Sequence, residues 1–199
     1  MEKVLFENTY GYEDFITEEE RLELEAWAMT IKDKMGRAQP VSGEADQKDE
    51  DLIRHFAKLS GFSNIPTLFE KLKLKIIEIE GIENYLPAPI NGDWIGILGE
   101  NSYVEPHKDD NLNDQYYTRR YNLLVSAPLD GGRPIYGGKF VPIKDKLLWR
   151  CDAGIVTHTS EKVIGNKLRI NLSFGFSISI EWEKEQERKK MGKIVKGLI

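Results

Sequence analysis

Cysteine is nearly missing from this chain: Cys151 stands alone among 199 residues. A lone thiol excludes an internal disulfide and fits a reducing, cytoplasmic setting. Cys151 itself reads as a small buried apolar residue. Long apolar runs are missing too. No stretch approaches the roughly 18 residues that a membrane span requires. The opening MEKVLFENTYGYEDF has neither the basic start nor the apolar core of a signal peptide. A basic excess is absent as well: 28 Lys and Arg face 33 Asp and Glu, for a formal net charge of −5. That balance weighs against a nucleic-acid partner, because phosphates call for a basic footprint. Histidine is scarce, with three in all, so each can be weighed separately.

What is present reads as one domain of α+β class. Thr17-Glu18-Glu19-Glu20 is a capping box. After it Leu24, Trp27, Ala28, Ile31 and Met35 recur at helical spacing, which predicts a helix ending near Gly36. Gln39 to Asp51 is rich in acids, Gly and Pro and reads as a loop. Leu52–Leu59 and Ile65–Leu72 read as two further helices, so the N-terminal part, about 17–72, is expected to be helical. From about 74 to 180 short apolar segments follow one another, broken by Gly, Pro, Asn and Asp. Strands are expected near 94–98, 101–107, 119–127, 138–142, 146–150, 154–158 and 168–180, a pattern of sandwiches and barrels. A charged helix over about 181–196 closes the chain.

The last strand says most. Leu168, Ile170, Leu172, Phe174, Phe176, Ile178 and Ile180 alternate with Arg169, Asn171, Ser173, Gly175, Ser177 and Ser179. Successive side chains on a strand point to opposite faces. The apolar face is expected under the N-terminal helices and the polar face toward the interior. An arginine on an interior face is costly without an anionic partner, a first sign of a bound carboxylate.

Of the histidines, His55 sits in Ile53-Arg54-His55-Phe56 and reads as a surface or packing residue. His107 belongs to Glu105-Pro106-His107-Lys108-Asp109, where an extended chain turns His107 and Asp109 to one side. His158 follows the apolar run Gly154-Ile155-Val156-Thr157. Two histidines and one carboxylate make the facial triad of non-haem iron, which leaves three octahedral positions open. Arg169 lies eleven positions after His158. Gly165-Asn166 between them is a hairpin signal, expected to bring Arg169 back alongside His158. Its planar fork suits the distal carboxylate of 2-oxoglutarate.

These residues carry a resemblance. The stretch from about 94 to 178 resembles the double-stranded β-helix (jelly-roll, cupin-like) core of the Fe(II)/2-oxoglutarate oxygenases, and most of all the prolyl 4-hydroxylase-type group. Carrying it are Glu105-Pro106-His107-Lys108-Asp109, Gly137-Gly138-Lys139-Phe140, Asp152-Ala153-Gly154 leading to His158, and Arg169-Ile170-Asn171-Leu172-Ser173-Phe174. Tyr12 to Glu20 is similar to the family's lead-in to its first helix. The resemblance implies N-terminal helices packed on one sheet, Fe(II) on His107, Asp109 and His158, and 2-oxoglutarate at Arg169. It also implies hydroxylation by O2 of a substrate C–H bond, coupled to decarboxylation of the oxoacid to succinate. Asp109 argues against a halogenase, where that ligand is replaced. The sequence departs where the family often carries Tyr: Val104 stands there, and the neighbouring Tyr103 is expected on the opposite face. Prolyl specificity therefore does not carry over.

Softer expectations complete the reading. Tyr121 and Asn122 lie on a core strand and are candidates for contact with the oxoacid, a structural role being the alternative. Asn111 to Arg120 is a polar insertion, either a lid over the substrate or a solvated loop. Trp94 and Trp149 read as core aromatics. The expected partner is a peptide, protein or small-molecule substrate, with a peptidyl or free amino acid first and proline the leading candidate. An oxygenase acting on another small molecule or a nucleobase, and a cupin-like metal-binding protein without redox turnover, remain as alternatives.

Overall fold

A computed structural model describes residues 1–36, 53–83, 85–89 and 92–196. The chain opens with a hairpin of β1 (Glu2–Leu5) and β2 (Tyr10–Glu13), followed by helix α1 (Glu18–Ile31). The capping box is formed as read: Thr17 Oγ1 accepts from the Glu20 amide at 3.1 Å and Glu20 Oε2 accepts from the Thr17 amide at 2.8 Å. The expected loop over 39–51 lies outside the described residues.

Two expected helices come out differently. Arg54–Lys58 is a strand, β3, and a short 3-10 turn follows at Leu59–Gly61. A few residues make a marginal helix. Pairing with β5 (Trp94–Leu98), from Arg54 opposite Leu98 to Lys58 opposite Trp94, satisfies the same backbone groups. Helix α2 spans Thr67–Glu80 and so absorbs Leu74 to Ile79, where the strand-rich part was expected to begin. Leu68, Phe69, Leu72 and Ile76 share its buried face, while Leu74 stays exposed. Gly81 ends it at φ +59°, a left-handed position suited to glycine.

Two opposed sheets follow. The strands of the larger are β6 (Tyr116–Ser126), β10 (Leu148–Cys151) and β13 (Arg169–Ser179) with β1, β2, β3 and β5. Their order is β1-β2-β10-β6-β13-β5-β3, and β4 (Leu86–Pro87) pairs with the far end of β13. The smaller side holds β8 (Pro134–Tyr136) between β9 (Lys139–Phe140) and β11 (His158–Ser160), together with the pair β7 (Asp130–Gly131) and β12 (Val163–Ile164). The strand expected at 101–107 has no regular ladder. It runs beside β11 and β12 through single backbone bonds: Val163 N–H to Ser102 O at 3.0 Å, Ser160 N–H to Val104 O at 3.1 Å. Residues 154–157, expected in a strand, form a turn closed by bonds from the Ile155 and Val156 amides to Asp152 O. A closing helix, α3, spans Ile180–Lys196.

The alternation of β13 is realised on both faces. Ile170, Leu172, Phe174, Phe176 and Ile178 join the helices in one apolar core, where Phe69 stacks on Phe174 with centroids 4.5 Å apart. Full burial of such a side chain contributes roughly 1.5–3 kcal/mol. A second cluster, with Leu124, Tyr136, Val141, Leu147, Trp149 and Cys151, fills part of the space between the sheets. Among the described residues no helix is long and apolar enough to cross a membrane.

Gly175 sits in β13 where an added Cβ would lie 2.3 Å from Gly92 O, a backbone atom. Gly175→Ala is expected to cost about 1–3 kcal/mol through forced backbone displacement, read as a lower Tm in thermal unfolding. An unchanged Tm would show that the Gly92 backbone yields freely.

Candidate functional site

Between the sheets lies a cavity of about 600 Å³. His107 and His158 stand on one wall. Their backbones form an antiparallel bridge, His107 N–H to His158 O at 3.0 Å and His158 N–H to His107 O at 2.9 Å. Asp109 is fixed by its own N–H to Ala153 O at 2.8 Å. These bonds bring the two imidazoles to a centroid separation of 4.2 Å. Asp109 Oδ1 lies 3.4 Å from His107 Nε2 and 3.7 Å from His158 Nε2. The ligand atoms of the three residues fall within 4.8 Å of one another, and among the described residues this is the only such group.

Each ring is oriented from behind. Glu105 O lies 2.7 Å from His107 Nδ1, and Val156 O lies 3.3 Å from His158 Nδ1. A carbonyl at Nδ1 places the proton there and leaves Nε2 with its lone pair for a metal. Burial pushes the Asp109 carboxyl up, but the His107 hydrogen bond and the Arg120 charge outweigh it and hold it well below the ordinary range. Burial likewise pushes His107 down, and its bonds to Asp109 and to Glu105 O more than reverse this. His158 has no comparable support; burial and the His107 charge lower it to about 4. Two imidazoles and an ionised carboxylate converging on one point suit a divalent transition metal.

Arg169 belongs to the opposite sheet, where it pairs with Leu98. The Gly165 turn exists, at φ +84°, but it closes no hairpin. β12 pairs with β7, and the chain then crosses to the larger sheet. Arg169 therefore stands across the cavity from His158 rather than beside it. It is 7% exposed, its Nε has no hydrogen-bond partner, and no described carboxylate pairs with it. Burial alone lowers its pKa to about 10. Three other buried or half-buried arginines are neutralised by carboxylates, Arg119 and Arg150 by Asp152 and Glu183 and Arg120 by Asp109, while Arg54 donates its Nε to Tyr103 O at 3.2 Å. A buried cation left unpaired costs several kcal/mol, and Arg169 is the residue that could hold an anion in this cavity.

Asn122 lines the cavity, and its Oδ1 accepts from Asn171 Nδ2 at 3.3 Å. Tyr121 does not line it. As the next residue on the strand it points to the helix side, where its hydroxyl donates to Glu80 Oε2 at 2.9 Å. The lid reading of 111–120 fails for its second half, because 116–120 belong to β6 and Tyr117, Arg119 and Arg120 are buried. Val104 faces the cavity and Tyr103 does not, as the alternation suggests.

Several lining residues escaped the sequence reading, buried Arg54 and the aromatics Phe56 and Trp94 among them. Trp149 and Asn171 border the cavity with a buried Nε1 and a buried Oδ1 that lack partners. Arg120 stands beside Asp109 on the face of β6 that also carries Asn122, at a spacing of two. That spacing was the available signal.

By sequence, no protein-family model and no curated protein matches the chain. Solved structures do. A prolyl-4-hydroxylase from Pseudomonas putida is 13% identical, covering 85% of this chain and 91% of its own, with a TM-score of 0.58. HygX from Streptomyces hygroscopicus, with nickel, 2-oxoglutarate and hygromycin B bound, is 10% identical over 86% of this chain and 83% of its own, at 0.60. A Trichoplax adhaerens prolyl hydroxylase, in complex with a hypoxia inducible factor peptide fragment, is 12% identical over 86% and 83%, at 0.61. The chain thus has the double-stranded β-helix fold that these 2-oxoglutarate oxygenase structures share.

Proposed function

We propose that the chain is an Fe(II)- and 2-oxoglutarate-dependent dioxygenase that hydroxylates a C–H bond of a peptidyl or free amino acid, proline first among the candidates. The observation that carries this reading is Arg169: a buried, unpaired guanidinium facing the same cavity as a His-Asp-His cluster. Fold likeness supports it, as do the 2-oxoglutarate bound to HygX and the prolyl hydroxylases among the similar structures.

His107, Asp109 and His158 would hold the iron through Nε2, Oδ1 and Nε2. Arg169 would take the distal carboxylate of the oxoacid with parallel N–H donors, and the buried polar atoms of Asn171 and Trp149 border the same space. When bound, iron supplies the activation of O2 that couples decarboxylation to hydroxylation, so that R–H, O2 and 2-oxoglutarate become R–OH, succinate and CO2. The protein's part is to hold the co-substrate at both ends and to shield the centre from water. Phe56 and Trp94, with ring centroids 5.1 Å apart, form an aromatic wall for the substrate.

Anaerobic addition of 2-oxoglutarate to the Fe(II)-loaded protein is expected to produce a weak charge-transfer band near roughly 500 nm, as chelation at facial-triad iron implies. Asp109→Ala should abolish it. Folded, iron-loaded protein without the band would return the molecule to a metal-binding role without turnover.

Arg169→Met should keep the iron and raise the 2-oxoglutarate requirement by about 10–100-fold, the loss of roughly 1.5–3 kcal/mol of charge-assisted hydrogen bonding. The same change should raise the Tm of the ligand-free protein, because it removes an uncompensated buried charge. A variant that bound the oxoacid normally would refute the anchor.

Metal affinity should fall with pH through His107. His158, held to about 4, is already neutral near pH 6, whereas His107, held above its ordinary value, must release a proton to bind. Affinity is expected to drop about tenfold per pH unit below the His107 pKa. Calorimetry in buffers of different ionisation enthalpy should show about one proton released near pH 6 and fewer as pH rises. Release of two would show that both imidazoles are protonated in the metal-free state.

A further inference from the structure

A carboxylate can meet a metal through one oxygen or through both. The difference is decisive for a centre of the proposed kind. Two imidazoles and one carboxylate oxygen fill three of six positions, leaving three for a bidentate oxoacid and O2. A carboxylate bound through both oxygens would take a fourth position, and the oxoacid would then leave no room for O2.

The two oxygens of Asp109 have different surroundings. Oδ1 faces both imidazoles, 3.4 Å from one Nε2 and 3.7 Å from the other. Oδ2 is turned away and accepts a hydrogen bond from Arg120 Nε. Arg120 is in turn fixed. Its side chain is 5% exposed, its Nη1 donates to Gly92 O at 3.0 Å, and its guanidinium carbon lies 5.6 Å from the centre of the Trp94 ring. The residue comes from the middle of β6, whose pairing with β13 places Arg120 opposite Gly175. Gly175 leaves space for that arrangement: an added Cβ there would lie 3.0 Å from Arg120 Nη1.

We propose that Arg120 is a positioning residue that occupies Asp109 Oδ2 and so restricts this carboxylate to one-oxygen donation, keeping a coordination position free. The inference rests on the reading of His107, Asp109 and His158 as metal ligands. It assigns Arg120 a role toward the metal through Asp109, without contact of its own.

The test counts water on the metal. Mn(II) is added to the full chain in place of iron, and the water-proton relaxivity per bound ion is measured for the wild type, Arg120→Met and Arg120→Lys. With Asp109 donating one oxygen, three positions hold water. With Oδ2 released in Arg120→Met, two remain, and relaxivity should fall by about one third. Saturating 2-oxoglutarate should leave about one water on the wild type and none on Arg120→Met. Arg120→Lys keeps a cationic donor for Oδ2 and should return relaxivity toward the wild-type value, which a role in packing alone would not do. Equal relaxivity per bound ion in the wild type and Arg120→Met would overturn the inference while leaving the metal site intact. Loss of Mn(II) from both variants would also overturn it, since Arg120 would then serve only to assemble the site. A wild type that binds no Mn(II) would remove the metal reading and this inference together.

Discussion

The pairing of β13 with β6 is the constraint on which the other features depend. Ten residues of β13, from Ile170 to Ser179, have partners on β6. Both strands are buried along nearly their whole length, so each must be satisfied on two faces at once. The helix-side face is apolar but for Arg119 and is covered by α1 and α2. The other face carries Arg120, Asn122, Arg169 and Asn171, and it can stay polar only because a cavity lies beyond it. A shift of one residue in register would exchange the faces, placing Tyr121 and Phe174 in the cavity and the arginines under the helices. Register is therefore the same fact as site geometry in this molecule.

Charge is handled differently on the two sides of that pair. Toward α3, Arg119 and Arg150 share Asp152 and Glu183 in a closed network, and Tyr10, Tyr12 and Tyr121 all donate to Glu80. This network fixes α2, α3 and the first hairpin to the sheet. On the cavity side the balance is left open at Arg169. The contrast separates structural ion pairs from a site more clearly than any single distance, because the same residue type occurs in both settings.

The same physics governs what could be read from the sequence. The two-faced alternation of β13 was legible because a buried strand with one polar face leaves a long period-two pattern. His107, Asp109 and His158 were legible because there are few histidines to choose from and because i and i+2 share a side. Tyr121 and Asn122 could not be separated: the phase of β6 is set by its partners, and the sequence of one strand does not contain it. Arg120 was assigned to an insertion for the same reason. The opening hairpin gave no alternating signal, since Glu2 to Leu5 is an exposed edge held by backbone pairing with β2. Leu74 to Ile79 is rich in isoleucine, as a strand often is, but burial of Phe69, Leu72 and Ile76 against the sheet makes it helical. Gly165 signalled a turn correctly, while the destination of the chain beyond it, between β6 and β5 of the larger sheet, depends on pairing partners distant in sequence.

That crossing between sheets makes the molecule a ruler. His158 and Arg169 are close in sequence, yet they belong to opposite walls, so the span between them is the spacing of the walls. The spacing is set by what fills the gap elsewhere: Leu124, Tyr136, Val141, Leu147 and Trp149. Interiors this tightly packed resist compression. Under the proposed function, the length of dicarboxylate the protein accepts is encoded in hydrophobic volume, and a change of side-chain size in that cluster would regrade chain-length selectivity without touching either end of the ligand.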